Sequence, residues 1–223
     1  LLKNKKRILI CPLDWGLGHA ARCIPVIREL INNDIEVVVG ADNGPLALLK
    51  REFPQLEVVR FPGYDITYFK NGNMPLAMML SLPRVLGGIY REHAFLKSII
   101  KNLKIDAVIS DNRFGLWNST VPTVFITHQV MVKCPKHLKF LEPIIHRLNK
   151  FFINKYDECW IPDFEGRENL SADLSHRYPL PQNAEFIGSL SRFDSPPPTP
   201  PEGEGEPTLN TTEGGEHQRS KSP

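Results

Sequence analysis

What this 223-residue chain lacks narrows it first. It has four cysteines, Cys11, Cys23, Cys134 and Cys159, with neither Cys-x-x-Cys nor any other tight metal spacing. A disulfide framework and a structural metal site are set aside, and a reduced, intracellular chain is expected. No apolar run is long enough to span a bilayer, and the opening LLKNKKRILI has too short an apolar stretch for a secretory signal. A surplus of one charge is also missing: 27 Lys and Arg stand against 25 Asp and Glu. The resulting formal +2 does not argue for a nucleic-acid partner.

The carboxyl-terminal stretch lacks apolar residues. Between Ser195 and Pro223 the only strongly apolar side chain is Leu209. Such a segment cannot bury enough surface to offset its ordering entropy, so 195–223 is predicted to be a disordered Pro/Gly/Glu-rich tail. Its net charge is −3, which leaves the body near +5 and compatible with anionic ligands or an anionic membrane face. Residues 1–194 are expected to form the globular domain.

Within that body, strand and helix patterns alternate. Short apolar runs near 7–12, 35–40, 56–61, 106–110, 123–127 and 159–162 read as buried strands, with a weaker seventh at 185–187. Ala21, Ile24, Ile27, Leu30 and Ile31 recur at helical spacing from His19 to about Asn33. Pro25 within them predicts a kink, or a helix start near Cys23. Further helices are expected at 43–52 and about 143–156, and the long stretch 63–104 should hold helical material followed by a helix with Ile89, Phe95, Leu96, Ile99 and Ile100. Repeated strand–helix units predict an α/β, Rossmann-like, doubly wound parallel sheet.

The first strand runs into Gly16-Leu17-Gly18-His19, just before a helix. Glycines allow close backbone approach to a ligand, and a helix start offers free N–H groups to an anion. The loop is not the dinucleotide fingerprint, because position 21 is Ala, and it has no P-loop Lys-Ser/Thr, so no cofactor is expected. A plain strand–helix turn is the competing reading. Arg22, one turn on, strengthens the anion reading against that of a solvated helix face. The fourth strand ends in Ser110-Asp111-Asn112-Arg113, and the fifth in Thr127-His128-Gln129. Parallel sheets place ligands at such ends. Asp111 could orient His19, bind an acceptor hydroxyl or cap a turn, and Arg113 could hold a phosphate or carboxylate. His128 and Gln129 line a cleft or pack the strand end.

CPLDWGLGHAARCIPVIREL resembles the opening of glycosyltransferases related to the N-acetylglucosaminyltransferase that makes peptidoglycan lipid intermediates, in a subset with a G-x-G-H-x-x-R motif. Gly16, Gly18, His19 and Arg22 match position by position, and SDNRFG, THQ, DECWIPD and FIGSLSRF resemble later strings of that subset, covering about 1–194. The resemblance implies the N-terminal, acceptor-side half of a GT-B fold, with no donor-binding domain following it. It implies hexosyl transfer from a nucleotide-sugar donor to a hydroxyl acceptor, lipid-linked in the named branch, with this chain inactive alone. His19 would be the general base or a phosphate contact, and Asp111 its partner. Gly16, Gly18, Arg22, Asn112, Arg113, His128 and Gln129 would bind substrate. A cytoplasmic protein is implied, peripheral at the membrane through 133–155 and the 63–90 insertion, where Lys133, Lys136, Lys139, Arg147, Lys150 and Lys155 stand near Phe69, Met74, Leu76 and Met78. A non-catalytic subunit that recruits a separate donor-binding chain is one alternative, and an unrelated nucleotide-binding Rossmann enzyme is another.

Overall fold

A computed structural model describes residues 5–63, 74–134, 136–166 and 168–192, with side chains left undescribed at 74–82 and 136–138. The expected tail at 195–223 lies outside these residues, as do Phe69 and the side chains of Lys136, Met74, Leu76 and Met78.

Seven strands form one sheet: β1 (Arg7–Pro12), β2 (Glu36–Ala41), β3 (Glu57–Arg60), β4 (Ala107–Asp111), β5 (Thr123–Ile126), β6 (Glu158–Ile161) and β7 (Ala184–Phe186). Their order is β3-β2-β1-β4-β5-β6-β7, and every neighbouring pair is parallel. The predicted strands thus stand within about a residue of their observed bounds.

The sheet is buried on both faces, which is why its strands are nearly all apolar. Leu9, Cys11, Val38, Val108 and Phe125 pack into one core with Leu96 and Ile153. Ile10, Val37, Val39, Ile109 and Ile126 pack into the other with Ile24, Ile27 and Leu49. The helices that cover these faces are α1 (Leu17–Asn32), α2 (Asn43–Glu52), α3 (Met74–Leu103) and α4 (Glu142–Ile153), with a short α5 (Asp173–His176). None of the described helices is long and apolar enough to cross a membrane.

Two expectations change. Helix α1 starts at Leu17 and runs through Pro25 to Asn32. A proline inside a helix costs roughly 3 kcal/mol. Burial of Ala20, Cys23, Ile24 and Ile27 on one face offsets that cost. Likewise α3 is a single helix of 30 residues with Pro83 inside it, where the sequence suggested two pieces.

The chain winds outward from β1 to β3 on one side, then crosses back to place β4 on the other side of β1. At such a switch point the loops after the two central strands diverge and leave a crevice at their carboxyl ends. The crevice is set by the pairing of Pro12 with Asp111.

Candidate functional site

Two loops meet at that crevice. After β1 the chain turns at Gly16, whose φ of 105° is open only to glycine without strain. Gly18 has no such need: a Cβ there, as at Gly16, would meet nothing within 4 Å. The space above both glycines is open, and the start of α1 carries no acidic residue in its first turn. Backbone N–H groups at this end are therefore available to an anion.

The first turn of α1 directs His19 and Arg22 at the end of β4. Asp111 is fully buried there, yet it is ringed by donors. His19 Nδ1 lies 2.7 Å from Asp111 Oδ1, and Arg22 Nε donates to Oδ2 at 2.8 Å. A second Arg22 nitrogen reaches Oδ1, and the Cys23 thiol lies 3.8 Å from Oδ2. Burial alone would raise the Asp111 pKa, but the bonds from His19 and Arg22 and the Arg22 charge outweigh it and hold the carboxyl below its ordinary value. An ionised Asp111 can only accept. Arg22 Nη2 also lies 3.0 Å from His19 Nδ1, but the shorter contact with the ionised carboxylate requires the proton on Nδ1, which leaves Nε2 unprotonated in the neutral ring.

His128, just beyond β5, closes the cluster. Arg22 approaches its Nδ1 at 2.6 Å, and since a guanidinium can only donate, this nitrogen accepts. Burial lowers the His128 pKa, and the nearby Arg22 charge lowers it further. His128 is thus a neutral ring with its proton on Nε2. Asp111 thus sets the tautomer of His19, and Arg22 that of His128.

The remaining residues expected at the site divide. Asn112 sits at φ 58° and ties the two strand ends together: its N–H donates to Ile126 O at 3.0 Å, and its Oδ1 accepts from Thr127 Oγ1 at 3.1 Å. The Gln129 N–H donates to the same Thr127 hydroxyl at 3.0 Å. Both are half-buried beside the cluster. Arg113 behaves differently from the ligand-holding role expected of it. It is fully buried, faces Glu92 of α3 at 2.7 Å and donates to Phe61 O at 3.1 Å and Pro62 O at 2.7 Å. Its charge is spent inside the protein, joining the loop after β3 to α3.

One polar centre escaped the sequence reading. Asp163, two residues past β6, is buried and accepts from Phe164 N, Leu170 N, Ser171 N and the Ser171 hydroxyl, with His176 Nε2 at 3.2 Å. Burial would raise its pKa, but these hydrogen bonds prevail and hold it well below the usual carboxylate range. Its place after a strand end, the rule that singled out Asp111, was the available signal. Among the described residues no cluster of His, Cys, Asp or Glu could hold a metal ion.

No protein-family model and no curated protein matches the chain. Solved structures do. A UDP-glucosyltransferase from Polygonum tinctorium capable of glucosylating indoxyl aligns at 12% identity over 88% of this chain and 55% of that one, with a TM-score of 0.55. The glycotransferase of kitacinnamycin aligns at 15% identity over 84% and 52%, with a TM-score of 0.52. MurG of Acinetobacter baumannii aligns at 12% identity over 72% and 42%, with a TM-score of 0.40. The chain spans about half the length of these structures. The likeness is one of fold: a Rossmann-like parallel sheet consistent with the N-terminal half of a GT-B fold.

Proposed function

We propose that this chain supplies the acceptor side of a GT-B glycosyltransferase, with His19 as the general base. The observation that carries the reading is the His19–Asp111 pair at the switch point of the sheet, 2.7 Å across, which leaves His19 Nε2 as the acceptor of a proton. In the reaction, Nε2 takes the proton of an acceptor hydroxyl as the hydroxyl oxygen attacks the anomeric carbon of a nucleotide sugar. The bond from that carbon to the diphosphate oxygen breaks, and the nucleoside diphosphate leaves. Asp111 stabilises the imidazolium that forms, and Arg22 keeps Asp111 ionised and in place. The open N–H groups at Gly16 and Gly18 face an oxyanion of either substrate. The narrower kinship, to transferases of peptidoglycan lipid intermediates, rests on the motif of Gly16, Gly18, His19 and Arg22 and on the later strings SDNRFG, THQ, DECWIPD and FIGSLSRF.

In this reading the donor is gripped by a second domain. Positioning of the reacting groups, which reaches about 7–11 kcal/mol at best, is absent without that grip. The test is a pair of proteins: the 223-residue chain, and a fusion of its body to the donor-binding half of a GT-B enzyme of matching fold. Release of nucleoside diphosphate from a panel of nucleotide sugars is expected from the fusion and not from the chain. His19→Ala should cost the fusion about 10²–10⁴-fold. Undiminished turnover in that variant, or tight nucleotide-sugar binding by the chain alone, overturns the assignment.

A further inference from the structure

A cleft of about 660 Å³ opens between the loop after β3 and helix α3, lined by Phe61, Pro62, Arg84, Arg91, Glu92 and Phe95 among others. The volume is that of a small-molecule site. Arg84, Gly88, Arg91 and Phe95 recur at spacings of four, three and four, so they share one face of α3. The two arginines stand two turns apart, roughly 10 Å along the axis, with Gly88 on the same face between them. Both are exposed, and neither has a carboxylate partner among the described residues. The buried arginine of the neighbourhood, Arg113, pairs with Glu92, so that carboxylate is committed to Arg113 and not to Arg84 or Arg91. Below them lies an aromatic wall: Phe95 is 38% exposed and meets Phe61 edge-on at 4.9 Å between ring centres. The cleft also adjoins the site. A Cβ on Gly63 would lie 3.5 Å from the Cβ of Asp14, in the loop that leads to His19.

We infer that this cleft selects acceptors with a flat apolar body and an oxyanion, the body lying on Phe95 and the anion held by Arg84 and Arg91. The assignment rests on the acceptor-side reading above. A guanidinium fork matches a carboxylate or a phosphate, and two forks on one helix face bind either.

The test is fluorescence titration of the 223-residue chain with three probes: hydroxynaphthoate, naphthyl phosphate and the neutral dihydroxynaphthalene. At least one anionic probe should bind roughly tenfold more tightly than the neutral one or better, which is about 1.4 kcal/mol. Whichever of the two binds better identifies the anion as carboxylate or phosphate. Arg84→Gln/Arg91→Gln should abolish the preference while leaving the neutral probe's affinity unchanged. Should the double variant melt early, each single Arg→Gln change should lose several-fold in affinity for the anion. Binding is read on the chain alone with no donor present, so a failed transfer assay and a failed binding assay remain separate results. Equal affinity for neutral and anionic probes, an unchanged preference in the double variant, or displacement of hydroxynaphthoate by a nucleoside diphosphate overturns the inference.

Discussion

Replacing Arg113 with methionine leaves the Glu92 carboxylate buried opposite an apolar side chain. Glu92 is 5% exposed, and Arg113 is its ion-pair partner. Breaking one side of a buried pair typically costs 3–5 kcal/mol, because the surviving charge is uncompensated. Against a domain stability of roughly 5–15 kcal/mol, that is a large share, and the urea midpoint should fall accordingly. Glu92→Leu/Arg113→Met removes both charges. It still strips a donor from Phe61 O and Pro62 O, so a residual cost of about 1–3 kcal/mol is expected, well under the sum of the two single changes. The loss should also depend on pH. Burial already raises the Glu92 pKa, and without Arg113 it rises further, so the folded protein binds a proton that the unfolded chain releases. Stability of Arg113→Met then falls as pH climbs above the ordinary glutamate value, by up to about 1.4 kcal/mol per unit until the folded-state pKa is passed. The variant should look closest to the parent at the acid end. Equilibrium unfolding at several pH values measures all of this. An additive double variant, or a single-variant cost below about 1 kcal/mol at neutral pH, refutes the account of Arg113 as the internal tie between the β3 loop and α3.

Other outcomes follow from the same contacts. Arg22→Gln removes the cation that faces His128, so the His128 pKa should rise toward its ordinary value, read from the ring proton shifts during an NMR titration. Asp163→Asn puts an amide where Ser171 N and the Ser171 hydroxyl donate, and should cost about 1–3 kcal/mol in thermal unfolding. Because the Asp163 pKa is depressed, its contribution is present above the unfolded value of about 3.9 and lost as pH falls below it, so the variant should lack part of the parent's acid unfolding. Gly115→Ala would bring a Cβ to 2.4 Å from Ile89 O and 2.5 Å from Glu92 Cβ, an overpacking worth roughly 1–3 kcal/mol on the same scale. Phe140, Ile144 and Phe151 are 69%, 64% and 55% exposed beside Arg147, and flotation should show binding to anionic but not neutral vesicles, weakened by salt; equal binding to both removes electrostatic docking.

The strands were legible because burial on both faces leaves a local mark. A run such as Ile8-Leu9-Ile10 has few other uses in a chain that alternates with amphipathic segments. Helix ends and breaks were less legible, since Pro25 and Pro83 argue against helix locally and only tertiary burial of the same helices outweighs them. The positions of His19, Asp111 and His128 were readable from one rule, that ligands gather where parallel strands end. The pairing of Asp111 with His19 was among the readings of the sequence, but the tie to His128 was not, because it runs through Arg22, whose spacing in sequence fits a solvated helix face equally well.

Arg113 shows why that rule has a limit. It lies two residues after Asp111, on the same loop and at the same sheet edge, so sequence position gives both residues one expectation. They part because the chain after β4 turns through Asn112 in the left-handed region, which reverses the side on which the next residue projects. Asp111 therefore faces α1 and the crevice, while Arg113 faces α3, where Glu92 waits 21 residues back in the chain. Tyr156 then accepts from Leu116 N and donates to Arg113 O, which fixes the reversed loop from β5's far side. One residue at positive φ thus divides a polar string into a half that faces His19 and Arg22 and a half that ties the β3 loop to α3. The two halves remain mechanically joined, so a change at Asn112 that relaxes the turn should disturb His19 and the α3 cleft together, whereas a change at either end should disturb only its own side.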